Sequence, residues 1–200
     1  MPGQTFLVRY ADDFIACFQY EEDARQFMTA MTERLAAFGL EVEPSKTALL
    51  RFGSDAQRYD RDASEGGSSA FNFLGLTHYV GTSRSGRFVV GRKTDGKRMR
   101  KKLQEVNRKL RELRIKGGGM MVAYLRQHLQ GHIQYYGISG NSRCLKAYVY
   151  HSACMLYKWL NRRSQKRSIT AERFWALMRN GLMPTARIIH NLYPKPAWKT

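Results

Sequence analysis

The sequence predicts an α+β fold in which antiparallel strands come first and an all-α bundle follows, divided into residues 1–92 and 93–200. Three observations carry this. Apolar residues in the first part fall in short, aromatic-rich runs bounded by turn residues; from about Asp95 the apolar period becomes helical; and the charge changes sign at the same place. Residues 1–90 hold nine basic and twelve acidic side chains, whereas residues 91–200 hold 25 and four, so the +18 net charge of the 200-residue chain belongs to the second part. At 43% hydrophobic and 25% charged residues the chain can bury a sizeable core, which excludes a disordered or fibrous protein.

The elements follow in order. Residues 6–18 are two apolar runs separated by Ala11, Asp12 and Asp13, which predicts a β-hairpin with acids at its tip. Glu21, Glu22 and Asp23 suit the positive end of a helix dipole. Ala24, Phe27, Met28, Met31, Leu35 and Phe38 then keep three- and four-residue spacing up to Gly39, a helix with one apolar face. Residues 40–43 and 48–52 read as short strands around Pro44-Ser45-Lys46-Thr47, and the Gly/Ser-rich residues 53–69 read as a loop. The run 71–76 and the run 87–90 read as a second hairpin pair across residues 81–86. Beyond Asp95, Leu103, Val106, Leu110 and Leu113 form one stripe, and Gly117, Gly118 and Gly119 end that helix. Helices over about 121–136 and 142–163, separated by Gly137-Ile138-Ser139-Gly140, and a last one from Thr170 to Gly181 complete the bundle.

No stretch of about 18 apolar residues is present, and Asp12 and Asp13 interrupt the place where a signal peptide needs its apolar run, so a soluble, intracellular protein without membrane attachment is expected. Cys17, Cys144 and Cys154 are odd in number and far apart, which suits reduced thiols. His128 and His132 are four residues apart, but the zincin pattern needs a Glu after the first His, and Leu129 stands there.

Two features point to chemistry. Adjacent carboxylates such as Asp12 and Asp13 repel each other unless a cation relieves them, and a hard divalent ion does so; taken alone, an Asp-Asp turn is more often structural than metal-binding. The dense positive charge of the second part suits a polyanion, with nucleic acid the obvious one. Residues 97–116 present Lys97, Arg98, Arg100, Lys101, Lys102, Arg108, Lys109, Arg111 and Arg114, with only Glu105 and Glu112 to balance them. Tyr124, Tyr135, Tyr136, Tyr148, Tyr150, Tyr157 and Trp159 offer rings for unpaired bases, although aromatic residues at helical spacing are more often core.

The string Tyr10-Ala11-Asp12-Asp13 between apolar runs resembles the YxDD box of reverse transcriptases, and Ala in the variable position is similar to group II intron enzymes. Residues 39–47, Gly-Leu-Glu-Val-Glu-Pro-Ser-Lys-Thr, are similar to the next palm motif. Phe73-Leu74-Gly75-Leu76 resembles the primer grip, and residues 129–137 and 183–190 resemble the thumb, or X domain, of intron maturases. The resemblance implies a partial palm over 1–92 and a basic thumb over 93–200. It implies a two-ion Mg²⁺ site with Asp12 and Asp13 as catalytic metal ligands. Lys46 falls at the lysine proposed to protonate departing pyrophosphate, a position that reads equally as a solvated turn lysine. Tyr10, Leu74 and Gly75 would meet the primer, and Lys97, Arg98, Lys101, Lys102, Arg108 and Lys109 would contact nucleic acid. The implied partners are intron RNA and the template-primer duplex with its DNA primer, with a separate chain supplying fingers and the missing palm as a further candidate; the implied setting is bacterial or organellar cytoplasm.

One departure qualifies this. The family draws a third metal-binding Asp from an earlier strand, and none of the nine residues before Tyr10 is acidic, so this chain alone is expected not to polymerise DNA. The alternatives are a non-catalytic RNA-binding maturase module that assists intron folding and splicing, and the product of a truncated reading frame. No endonuclease segment is recognisable.

Overall fold

The computed structural model describes residues 3–53, 70–83, 85–162 and 168–192. Among them are two antiparallel sheets and five α-helices, the α+β class expected. They fall into two compact units: the described residues of Met1–Phe73 with Tyr79–Val90, and those of Leu74–His78 with Gly91–Thr200.

In the first unit β1 (Thr5–Tyr10) and β2 (Asp13–Phe18) pair antiparallel in a continuous register from Thr5↔Phe18 to Tyr10↔Asp13. α1 (Glu21–Ala36) lies against β2 through Phe27, whose ring centroid is 5.2 Å from that of Phe18. Its three acidic first-turn residues offset the unpaired N–H groups of the helix start. It ends in a Schellman motif, in which the Leu40 amide donates to Leu35 O and the Gly39 amide to Ala36 O, with Gly39 at φ +69°. The core here is thin. Ala24 is buried, while Phe6, Leu7 and Val8 of β1 stay more than half exposed.

Residues 40–43 and 48–52 are not strands. Pro44–Lys46 form a single 3-10 turn capped by the Glu43 carboxylate, which accepts from the Ser45 hydroxyl at 2.8 Å. The flanking residues find no partner strand among the described residues, and unpaired apolar runs gain no ladder. Phe52 instead packs its ring against Phe71 and Phe88, with centroids 5.3 and 6.4 Å away. Of the expected loop 53–69, residues 54–69 lie outside the described residues.

The run 71–76 is likewise not one strand. β3 (Ala70–Phe73), β4 (Leu76–Thr82) and β5 (Phe88–Thr94) form a sheet in that order. Leu74 and Gly75, at φ +50° and +76°, make a two-residue turn with both central residues left-handed, the geometry that follows strand twist. Gly81 and Thr82 belong to β4. The β4–β5 turn is closed by the Ser83 hydroxyl, which accepts from the Arg87 amide at 3.0 Å; Arg84 lies outside the described residues.

In the second unit α2 (Gly96–Leu113) starts at Asp95, whose Oδ1 accepts from the Lys97 and Arg98 amides at 2.7 and 3.0 Å. A 3-10 turn, Arg114–Lys116, and Gly117 at φ +108° close it. Gly118 and Gly119 do not end this helix but begin α3 (Gly118–Tyr136). α4 (Ser142–Asn161) and α5 (Ala171–Arg179) follow, the latter capped by the Thr170 hydroxyl, which accepts from the Arg173 amide; Arg163, the expected end of α4, lies outside the described residues.

The stripe of α2 is buried as expected: Val106 and Leu110 are inaccessible and pack with Leu125, Leu129, Tyr148 and Leu156. α2 and α4 run in the same direction. The Asn141 side chain before α4 bonds the Thr94 amide and hydroxyl before α2, and further along Trp159 Nε1 donates to Asn107 Oδ1 at 2.9 Å. Residues 129–137 and 183–190 are joined by Gly137 O, which accepts from the amides of Ile189 at 2.6 Å and His190 at 2.9 Å. A Cβ at Gly137 would collide with the carbonyls of Ile133 and Arg187, so backbone approach is what this glycine permits.

Candidate functional site

The hairpin tip is built by two residues. Ala11, at φ +56°, and Asp12 connect the strands, and Asp13 opens β2 opposite Tyr10. Left-handed backbone costs an alanine about 1 kcal/mol, and Arg9 Nε braces the turn by donating to Ala11 O at 2.7 Å. Asp12 and Asp13 are both exposed, and no lysine or arginine among the described residues pairs with them. Tyr10 is 63% exposed.

This donor set fits a Mg²⁺ ion, which is held through one or two carboxylates while water and substrate phosphates complete its octahedron. Among the described residues no group of three acids, histidines or cysteines that could hold a metal gathers, and the candidate metal-facing side chains at this tip are the pair Asp12 and Asp13. Lys46 is exposed at the end of the 3-10 turn. Its amide bonds Glu43 O, and no hydrogen bond or ion pair joins it to either aspartate.

Leu74 and Gly75 are fixed from within the second unit. Tyr135 Oη donates to Leu74 O at 2.9 Å, and the Asp95 amide donates to Gly75 O at 3.1 Å. Both turn carbonyls are therefore engaged by the protein itself. A Cβ on Gly75 would lie 2.8 Å from Tyr136 Oη and 3.3 Å from Arg98 Nη1, so the turn is seated on those two side chains. Tyr135, Tyr136 and Arg98 thus surround the candidate primer-grip turn. At helical spacing these tyrosines read as core or stacking residues, and nothing in the sequence signals that they reach a turn some 60 residues away.

The cations of α2 separate into three groups. Lys97, Lys101 and Arg108 fall on the face opposite the Val106/Leu110/Leu113 stripe, with Arg100 and Arg111 to one side of them, since Lys97 and Lys101 each precede a stripe residue by nine positions, or two and a half helical turns. Arg98, Lys102 and Lys109 flank it. Lys97, Arg98 and Lys101 are exposed without a carboxylate partner among the described residues, whereas Arg108 and Lys109 share Glu112 at 2.7 and 3.4 Å. Lys102 is half-buried with Nζ 5.0 Å from the centre of the Tyr136 ring, a cation–π contact that ties it to the fold.

Most candidate stacking rings are core. Tyr148 and Trp159 are buried, while Tyr135 and Tyr150 are exposed, the latter stacked on Trp175 at 5.6 Å. His128 and His132 both meet Tyr148: His128 Nε2 lies 2.7 Å from its hydroxyl, and the His132 ring stacks on it at 3.6 Å. Burial, with Lys102 and His128 beside it, pushes the His132 imidazole down to about 3; burial raises the Tyr148 phenol.

Two comparisons, with curated proteins and with solved structures, return no match. The family model described as reverse transcriptase (RNA-dependent DNA polymerase) matches residues 2–78, from the hairpin into β4. The part of the chain that carries Asp12 and Asp13 at a hairpin tip is thus similar to the reverse transcriptases.

Proposed function

We propose that this chain is a reverse transcriptase segment of group II intron type, whose hairpin takes Mg²⁺ on Asp12 and Asp13 and whose helical unit grips RNA and the template-primer duplex. The observation that carries this is the tip itself: a Tyr-Ala-Asp-Asp string in a two-residue turn, with both carboxylates exposed and unpaired by cations. When bound, the metal would activate a primer 3′-hydroxyl and neutralise the departing pyrophosphate. Tyr10 and the 74–75 turn would position the primer, and Lys46 would supply a proton. A non-catalytic RNA-binding module is the second reading, favoured by the uncompensated face of α2.

A paramagnetic titration tests the metal site. Mn²⁺, standing in for Mg²⁺, should broaden the amide resonances of residues 10–14 first, Mg²⁺ should reverse the effect, and the Asp12→Asn/Asp13→Asn variant should lose it. Broadening that ignores the hairpin, or survives in the variant, would leave the RNA-binding module as the better account.

A further inference from the structure

The second unit carries another charged surface at the opposite end of α2 from Asp95. There α2 and α4 terminate side by side, and three cations converge on one indole: Arg114 Cζ, Lys158 Nζ and Arg162 Cζ lie 5.7, 5.1 and 5.8 Å from the centre of the Trp159 ring. Trp159 is 6% exposed and locked to Asn107, so its ring is a floor for the cations and is not itself open to a ligand. No carboxylate among the described residues pairs with any of the three. One cation at each helix C-terminus is ordinary dipole compensation. Three on one ring exceed it.

Beside them is an open hollow of about 330 Å³ lined by Arg108, Arg111, Glu112, Arg114 and Ile115. Glu112 is already committed to Arg108 and Lys109. Ile115 is 84% exposed, the most exposed of the large apolar side chains described, and it sits on the 3-10 turn between α2 and α3. A duplex backbone needs only the cations. An arginine-lined hollow with an apolar wall suits a group that is flat, apolar on its faces and attached to phosphate, because guanidinium planes stack on unpaired bases.

We propose that this end of the helical unit binds an unpaired nucleotide of a structured RNA, its base against Ile115 and the Arg111 and Arg114 planes, its flanking phosphates on Arg114, Lys158 and Arg162. This rests on the RNA-binding reading above and adds a site that discriminates bulged from fully paired RNA. It also accounts for an exposed isoleucine among arginines, which solubility alone does not.

The test uses the full 200-residue chain and two RNA hairpins of about 20 base pairs, one continuous and one with a single unpaired adenosine. Gel-shift titrations should show the bulged RNA bound about tenfold more tightly. Arg111→Lys/Arg114→Lys keeps the charge but loses the planes, so it should abolish that preference while leaving continuous-duplex affinity within about twofold. Ile115→Ser should do the same, and its exposure keeps the fold intact, which an unchanged thermal melt verifies. Arg114→Gln/Arg162→Gln should lower the salt dependence on the bulged RNA by about one to two phosphate charges. Equal affinity for the two RNAs, or a lysine variant that keeps the preference, would overturn the proposal and leave general RNA binding standing. No binding to either hairpin would overturn both. Polyglutamate competing as well as bulged RNA would make the surface an acidic-protein site and overturn the assignment to RNA.

Discussion

Lowering the pH from 7 to about 4.5 should strip the helical unit of about 2–3 kcal/mol of stability, because His132 must be neutral to stay where it is. Its ring is stacked between helices on Tyr148, is 4% exposed, and neither nitrogen has a hydrogen-bond partner among the described residues. With the folded imidazole at about 3 against 6.5 for the free side chain, the unfolded chain binds a proton first as pH falls. The neutral form's stability is therefore complete above about pH 6.5 and declines toward pH 3, with an upper limit of about 5 kcal/mol. Burial shifts His128 in the same direction, and Lys102 adds to both shifts. Thermal melts followed by circular dichroism should show the helical transition about 10–20 °C lower at pH 4.5 than at pH 7. His132→Phe keeps the stacked ring and removes both orphan nitrogens, so it should remove most of that fall. A wild-type melting temperature indifferent to pH, or an equal fall in the phenylalanine variant, would contradict this account of the core.

Reversing Lys97 and Lys101 together should weaken binding to an RNA duplex of about 20 base pairs by about 100-fold at low salt. Both lie on the outward face of α2, one turn apart, exposed and without a carboxylate partner among the described residues. Every phosphate that a lysine no longer neutralises should reduce the slope of log affinity against log salt by somewhat less than one. Lys97→Glu/Lys101→Glu should thus flatten the slope by about two, measured by fluorescence anisotropy from about 50 to 300 mM salt. Arg108→Glu/Lys109→Glu should weaken binding less, since Glu112 already neutralises part of that charge. Lys102 is the poorer target despite its place beside Lys101: its ammonium rests on Tyr136, so reversal there perturbs the fold as well as the surface. Unchanged affinity, or a slope that ignores the Lys97/Lys101 reversal, would remove α2 as the nucleic-acid face.

What the sequence made legible is what local chemistry decides. Two apolar runs around Ala11-Asp12 specify the hairpin, Asp95 before a 3.6-residue stripe specifies α2, and Thr170 and Gly181 bracket α5. The misreadings arise where a distant partner decides. Residues 40–43 and 48–52 have strand composition but no strand to pair with among the described residues, and Pro44 with Glu43 makes a 3-10 turn there instead. Leu74-Gly75 lacks the Asn-Gly or Asp-Gly signature of a tight hairpin turn, and Tyr135, Tyr136 and Asp95 hold it from elsewhere in the chain. Gly118 and Gly119 are poor helix formers, yet they start α3 because Gly117 alone takes the left-handed break.

At the candidate site the same division holds. Asp12 lies in the tight turn and Asp13 opens the strand that follows it opposite Tyr10, a local arrangement that the sequence makes readable. The grading of the cations was not: which lysines are free depends on Glu112 and Tyr136 lying against them, and the Trp159 cluster depends on α2 and α4 ending together. Both carbonyls of the candidate primer-grip turn at Leu74 and Gly75 are engaged within the protein, and Arg98 and the exposed Tyr135 stand beside it, a placement set by residues far along the chain.

The most direct measurement is Fe²⁺-driven hydroxyl-radical cleavage of a bound, end-labelled DNA primer on an RNA template, with Fe²⁺ substituting for Mg²⁺ at Asp12 and Asp13. Cuts confined to the last few nucleotides at the primer 3′ end, suppressed by excess Mg²⁺ and absent in Asp12→Asn/Asp13→Asn, are the result predicted. Cleavage spread evenly along the primer, or unchanged in that variant, would contradict a metal-bearing polymerase hairpin.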